Sequence, residues 1–449
     1  MKQTVLRLTI LLLILGWQPA LLSAEADTDP GAKTGPEAAA PAAEPQFLQL
    51  SEQATLKMVT IFPGKALYSM FGHTAIRVED PVHQIDLLYN YGQSSVPFDA
   101  SFVPRFVTGN LPFMLGVIRT ERAYDFYRSY ENRTIYEQDL LLDRGERQKV
   151  FEYLELNARP ENRIYIYDFF YDNCTTRVRD LFWNIFGEEI DFALAERPAQ
   201  SYRRAIRPYL SEKPFVRFGI NLILGSPTDG VPGRARRLYL PGQLMHAVAA
   251  AELNGRPLMG HDRYVYEGRN GTTITPQDLN PLRAALASLL FWGLLVIAVG
   301  FSLGSLFNSG ASIDSKLSRA ASAKHSSIGM RVFDTLLLVI AGAVGVASLL
   351  LWNYSGYVMT TANWHLLWAW PPHVIIGFLL LMNKRPPALR WYAACGGAAA
   401  LVSMVLIPLL GQSLPGPAIP LLLLIVLRTT VGSGLLTSAE LRKSRASRR

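Results

Sequence analysis

The sequence predicts an α+β domain exported across a membrane, followed by an all-α polytopic membrane domain. Three observations carry this: an N-terminal export signal, alternating strand and amphipathic-helix patterns from about 47 to 275, and repeated long apolar runs after 284. The hydrophobic content of 49% therefore averages two unlike halves.

The chain opens with Lys2 and Arg7, runs through LTILLLILGW and reaches the small-residue pattern Ala24-Glu25-Ala26, which predicts a signal peptide over 1–26. Residues 27–46 are Ala, Pro, Glu and Gly with few large apolar side chains, so they predict a flexible tether. Apolar runs at about 284–306, 332–352, 364–382, 391–410 and 419–437 each approach the roughly 20 residues that cross a bilayer. They predict about five crossings over 284–437. Lys316, Arg319, Lys324 and Arg331 follow the first run, Lys384, Arg385 and Arg390 the third, and a basic tail at 438–449 the fifth, whereas loops 353–363 and 411–418 carry no Lys or Arg. Positive charge inside puts the 47–275 domain outside and the tail in the cytoplasm, the side the export signal also gives. The net charge of +8 comes largely from this topology pattern and one basic region, so nucleic-acid binding is not expected.

The chain has two cysteines, and Cys395 falls within the fourth apolar run, out of reach of Cys174. Cys174 is therefore an unpaired thiol in an oxidising compartment. Alternation in IYIYDFF predicts a strand, and TTRVRDLFWNIFG an amphipathic helix ended by Gly187, so Cys174 lands where strand turns into helix. A helix N-terminus favours the thiolate. The plain alternative is a buried structural cysteine. A free thiol is a liability in that compartment unless it is used, which favours a nucleophile.

The base is His73, one of four histidines in the exported domain. Two alternating runs, HTAIRVE and QIDLLYNY, flank a turn at Asp80-Pro81-Val82-His83 and predict a hairpin. Folding about 81–82 sets Glu79 near Gln84 and His73 near Asn90, with His73, Ala75 and Arg77 on one face. Gly72 permits close backbone approach beside His73. Asn90 is the candidate to orient the imidazole, and Asp86 competes for that role. His83 is expected to be solvated in the turn.

Further along, the pattern predicts a helix at 121–131, a strand near 133–141 and a helix over Arg144–Asn157 with Val150, Tyr153, Leu154 and Leu156 as its apolar side. Tyr124, Phe126, Tyr127 and Tyr130 are expected in the core, with a lipid-facing groove as the alternative. Residues 200–240 hold Arg203, Arg204, Arg207, Lys213, Arg217, Arg234, Arg236 and Arg237. They make either a solvated face or a surface for phosphate head groups, which guanidinium binds in bidentate fashion. Arg428 lies mid-way in IPLLLLIVLRTTVG, where a charge normally faces protein or a watery cavity. Arg203, Arg204 and Arg428 are the candidate substrate-binding residues. In TTANWHLLWAWPPH, Trp364, Trp368 and Trp370 are expected as interfacial anchors, with His365 and His373 as interface residues. No HExxH, CxxC or carboxylate cluster occurs, so neither a metal site nor a cofactor is expected.

The segments FGHTAIRVED, LLYNYG and YDFFYDNCTTRVRD, followed by membrane runs containing NWHLLWAWPPH, resemble the Lnb family of bacterial lipoprotein N-acyltransferases. The resemblance spans most of 47–440, with FGHTAI and DNCTT its specific parts. It implies a permuted papain-like cysteine domain, similar to enzymes of the NlpC and lecithin-retinol-acyltransferase type, in the bacterial inner membrane. His73 matches the family's Gly-His histidine and Cys174 the cysteine of its Asn-Cys motif. The implied chemistry moves an acyl chain from a membrane phospholipid through a Cys174 thioester to the N-terminal amine of a diacylated lipoprotein. The backbone N–H groups of Thr175 and Thr176 are expected to stabilise the oxyanion. Two alternatives stay open: a cysteine hydrolase of the same fold, cutting cell-wall peptide or phospholipid, and a non-enzymatic envelope sensor or assembly factor with an inert thiol. Mass analysis of lipoprotein N-termini separates the first, and electrophile labelling of Cys174 the second.

Overall fold

The computed structural model describes residues 47–95, 104–105, 108–194, 199–270, 273–274, 281–307, 316–382 and 388–432. The predicted signal peptide (1–26), tether (27–46) and basic tail (438–449) lie outside the described residues.

The strands are β1 (Thr55–Ile61), β2 (His73–Asp80), β3 (Ile85–Ser94), β4 (Pro112–Arg119), β5 (Ile135–Leu140) and β6 (Ile164–Ile166). Two-residue strands β7 (Ile190–Asp191), β8 (Glu252–Leu253) and β9 (Arg256–Pro257) form a separate small sheet, and β10 (Met259–Tyr266) returns to the main one. The main sheet is seven-stranded and antiparallel, ordered β10-β5-β1-β2-β3-β4-β6. Its central strands are apolar on both sides because both faces are covered. Leu56, Met58, Ile76, Val78, Tyr89 and Tyr91 face one cluster, whereas Val59, Ile61, Ala75 and Leu88 face another. That is the strand period of two read on two buried faces.

The second face is covered by helix α1 (Thr120–Asp125) and the π-helical turn Phe126–Glu131 that continues it. Tyr124 and Tyr127 are buried there as expected, but Phe126 and Tyr130 are 48% and 77% exposed. The π-turn rotates alternate aromatics away from the sheet. The first face carries α2 (Arg144–Ala158) and α3 (Cys174–Phe186), together with the helix over Pro241–Ala249. In α2 the expected side holds for Val150 and Leu154, while Leu156 is exposed.

The predicted hairpin forms, with its register shifted. Glu79 pairs with Asp86 rather than Gln84, because the turn uses residues 81–84, with Gln84 in the left-handed region at φ 55°. A two-residue slip leaves every side chain on its predicted face. His83 is not simply solvated: its Nδ1 lies 2.8 Å from Asp80 Oδ2.

After α4 (Tyr202–Ile206), α5 (Pro214–Ile223) and α6 (Pro241–Ala249), the chain enters its apolar half. There α7 (Pro281–Phe307), α8 (Lys316–Tyr354) and α10 (Ala388–Leu409) are long and apolar enough to cross a membrane, whereas α9 (His373–Leu381) and α11 (Ala418–Gly432) are shorter. The third predicted crossing is thus cut down. Residues 364–367 form a 3-10 turn, and Pro371-Pro372 postpones the helix to His373, leaving nine residues. Trp368, His365 and His373 are buried in protein at 1%, 0% and 1% exposure rather than placed at an open interface.

Both loops without Lys or Arg meet the sheet domain. Gly356 N–H donates to Thr108 O, Gly225 N–H to Met359 O, Asn363 Nδ2 to Leu222 O and Gln412 Nε2 to Leu224 O. The described residues from Leu48 onward form one compact unit. The sheet domain is therefore clasped to one end of the membrane helices.

Candidate active site

Two elements bring the site together. The first is the turn into α3. Asn173 is its N-cap, and its Oδ1 accepts from Thr175 N–H (2.7 Å) and Thr176 N–H (2.9 Å), while Thr176 Oγ1 accepts from Asn173 N–H (2.7 Å). This is a capping box. The Asn173 amide also donates to Phe169 O and Tyr239 O, which fixes where the helix starts. Cys174, first residue of α3, is half-buried. The two N–H groups expected to serve an oxyanion are thus already spent on Asn173, a correction to the sequence reading.

The second element is the pair of strand ends carrying His73 and Asn90. Gly72 has φ 85°, and a Cβ there would stand 3.0 Å from Ile61 O, so only glycine lets β2 begin at that angle. His73 Nε2 lies 2.5 Å from Asn90 Oδ1. Tyr127 stands close enough to Asn90 to feel its amide. With Oδ1 accepting from Nε2–H, the other ring nitrogen, Nδ1, is left for the thiol, and the two residues are close enough for each to shift the other's ionisation. Asp86, the competing candidate, is turned away. It takes Arg77 Nε and Nη2 at 2.8 and 2.9 Å.

Gly92 lies beside the meeting. It sits at the register shift between Tyr91 and Gln93 with φ 100°, and a Cβ on it would lie 3.5 Å from His73 Cε1 and 3.6 Å from Cys174 Cβ. The bulge leaves the sheet without a side chain where imidazole and thiol approach.

The electrostatics follow. Burial pushes the Cys174 thiol up, but the charge and hydrogen bond of His73, with smaller contributions from Thr74 N–H and the Thr175 hydroxyl, bring it down to about 7. Burial pushes His73 down, and the Cys174 charge and hydrogen bond more than offset this, so the imidazole is raised; Arg133 opposes and Asn90 assists. Each partner favours the other's charged form, so the pair lowers the cost of forming a thiolate near neutrality.

The other candidates are elsewhere. Arg203 is 8% exposed and spends its guanidinium on Asp229, Asn221, Thr228 and the carbonyls of Leu224 and Gly225. Arg204 is exposed. Arg428 Nε and Nη2 reach Asp334 at 2.6 and 2.9 Å, and its Nη1 reaches Ser302 Oγ. None of the three joins the thiol. Sequence reasoning missed Tyr127 and Gly92, although a glycine inside the alternating run LLYNYG is a bulge signal.

A sheet-rich domain presenting a cysteine–histidine pair and mounted on apolar helices defines a membrane protein with an extracytoplasmic domain. Residues 44–207 match the Lnb N-terminal periplasmic domain and residues 321–439 the Lnb transmembrane domain, and the chain belongs to the Lnb family. The sheet domain is accordingly periplasmic. No curated protein and no solved structure matches the chain.

Proposed function

We propose that the protein is a cysteine-dependent N-acyltransferase of the bacterial inner membrane, with a permuted papain-like catalytic domain over 47–275 and a membrane domain over 284–437. The observation that carries this reading is the Cys174–His73–Asn90 relay, held on a domain clasped to membrane helices. Cys174 thiolate attacks the ester carbonyl of a glycerophospholipid. The S–C bond forms, the C–O bond breaks, and the departing alkoxide takes the His73 proton to leave as lysophospholipid. The N-terminal α-amine of a diacylated lipoprotein then attacks the thioester. The amide forms, the C–S bond breaks, His73 accepts the amine proton and the thiolate is restored. No cofactor is needed for either half-reaction. Clasping the thiol to the bilayer surface gives two lipid-anchored substrates a common meeting point.

The test is mass spectrometry of lipoprotein N-termini from cells lacking other N-acylating activity, with and without this protein. An added amide-linked acyl chain that depends on Cys174 supports the reading. Unchanged diacylated N-termini alongside cut peptide or free fatty acid would overturn it in favour of hydrolysis.

A further inference from the structure

The thiol, the imidazole and the amide account for the nucleophile and its base, while the Thr175 and Thr176 N–H groups are bound to Asn173 and so are not free for the tetrahedral oxyanion. A second buried group stands at the same place. Tyr165 on β6 is 6% exposed, and its hydroxyl makes no hydrogen bond. The Cβ position on Gly92, already 3.5 Å from His73 Cε1 and 3.6 Å from Cys174 Cβ, is 4.0 Å from Tyr165 Oη. Buried hydroxyls are almost always paired, and an orphan beside a nucleophile points to a partner that arrives with the substrate.

The surroundings prepare that hydroxyl as a donor. The Arg177 guanidinium lies 4.2 Å over the ring, and Asp172 holds Arg177 at 2.5 and 2.6 Å. A cation over the ring draws electron density from the phenol and strengthens its O–H as a donor. The Tyr91 ring packs at 6.3 Å and fixes the tilt. Burial first, then the neighbouring Cys174 charge, hold the phenol well above its ordinary pKa, so it keeps its proton.

We propose that Tyr165 is a catalytic residue whose hydroxyl donates a hydrogen bond to the tetrahedral oxyanion formed on Cys174. This rests on the acyl-transfer reading for its substrate. As the S–C bond forms, the carbonyl π pair moves onto oxygen, and Tyr165 Oη–H donates to that oxygen without giving up its proton. The pair returns as the leaving alkoxide departs with the His73 proton. The donor therefore acts in forming and in consuming the thioester.

The experiment uses the full chain in detergent micelles and compares two reactions of the same thiol. Acylation is followed as the burst of p-nitrophenolate from p-nitrophenyl butyrate, and alkylation as capture of iodoacetamide. Displacement at the saturated carbon of iodoacetamide builds no oxyanion, so alkylation measures thiolate and fold, and the ratio of the two rates cancels any loss of active protein. Tyr165→Phe keeps the ring and removes only the hydroxyl. The ratio is expected to fall about 10²- to 10³-fold, the usual consequence of deleting one oxyanion donor. A ratio within about threefold of the parent overturns the role of Tyr165 whatever the yield of folded protein. A Cys174→Ala chain that still gives the burst overturns the thiol reading itself, a separate failure.

Discussion

Two polar clusters in the described residues invite comparison, one around Arg203 and one around Cys174. Arg203 is surrounded by acceptors that match its donors, and Asp229 beneath it also accepts from Ser413 N–H and Oγ in the loop before α11. It ties the periplasmic domain to the membrane half. Around Cys174 the accounting is open: a half-buried thiol near neutrality, an imidazole oriented from behind, and a tyrosine hydroxyl with no partner. A saturated network holds shape, whereas one with an unused donor and a poised nucleophile is prepared for a missing reactant. The Arg428–Asp334 pair resembles Arg203 in this respect, being 9% and 16% exposed and paired in bidentate fashion.

If the comparison is sound, changes in the open cluster alter chemistry and leave the fold, and changes in the saturated ones do the reverse. The largest effect is expected at the thiol. Cys174→Ala should lower acyl transfer by at least about 10⁴-fold with membrane insertion intact, the scale seen when a nucleophile is removed. His73→Ala should uncouple the thiol. The parent loses its proton at about 7, so alkylation climbs as pH passes neutrality. Without His73, burial remains and the midpoint moves up to at least an ordinary thiol value, so alkylation at pH 7 falls at least roughly 15-fold and recovers only in base. A profile still centred near 7 in His73→Ala would break the assignment of the base. Arg133 also faces His73 and opposes its charge, so Arg133→Leu should shift the imidazole in the other direction, upward.

Next in size is the saturated cluster. Arg203→Leu leaves the largely buried Asp229 without its partner, and a charge so orphaned costs on the order of 3–5 kcal/mol. Thermal unfolding followed by size-exclusion fluorescence should show the loss, while any folded fraction alkylates at Cys174 with the parent's pH profile. A shifted profile would show that Arg203 belongs with the chemistry after all. Within the membrane half, Asp334→Leu should destabilise in the same way, and Asp334→Leu with Arg428→Leu should recover much of the loss, because a buried ion pair replaced whole is often neutral. Failure of the double variant to recover would give Arg428 a role beyond its pairing.

Much of this was legible in the chain, for identifiable reasons. Cys174 at the head of a helix follows from a period of two giving way to an amphipathic one, and His73 and Asn90 share a face in any register that differs by an even number. The turn length was not legible, because Gln84 adopts a left-handed conformation that no glycine or asparagine signalled. Nor could composition tell that Arg203 meets an acid 26 residues later, since a basic stretch shows its charge and hides its partners. The short α9 was hidden for a similar reason. Apolar content continues through 364–372, but Pro371-Pro372 and a tightly packed 3-10 turn divert the backbone before it becomes helical.

The smallest effect, and the one that joins the two clusters, is expected at Asn173. Asn-Cys-Thr-Thr contains an N-cap followed three residues later by a hydroxyl, a signal that already competes with any use of the Thr175 and Thr176 N–H groups as oxyanion donors. Asn173 belongs to the saturated kind of network, though it adjoins the nucleophile. Asn173→Ala should cost about 1 kcal/mol in stability through loss of the cap. It also frees two N–H groups at the helix start, directly behind Cys174. If scaffold and chemistry are separate here, the ratio of acylation to alkylation stays within about threefold of the parent. If the ratio rises, the freed donors have moved onto the oxyanion and share the task assigned to Tyr165, and the Asn173→Ala, Tyr165→Phe double variant would then lose less than the product of the two single effects.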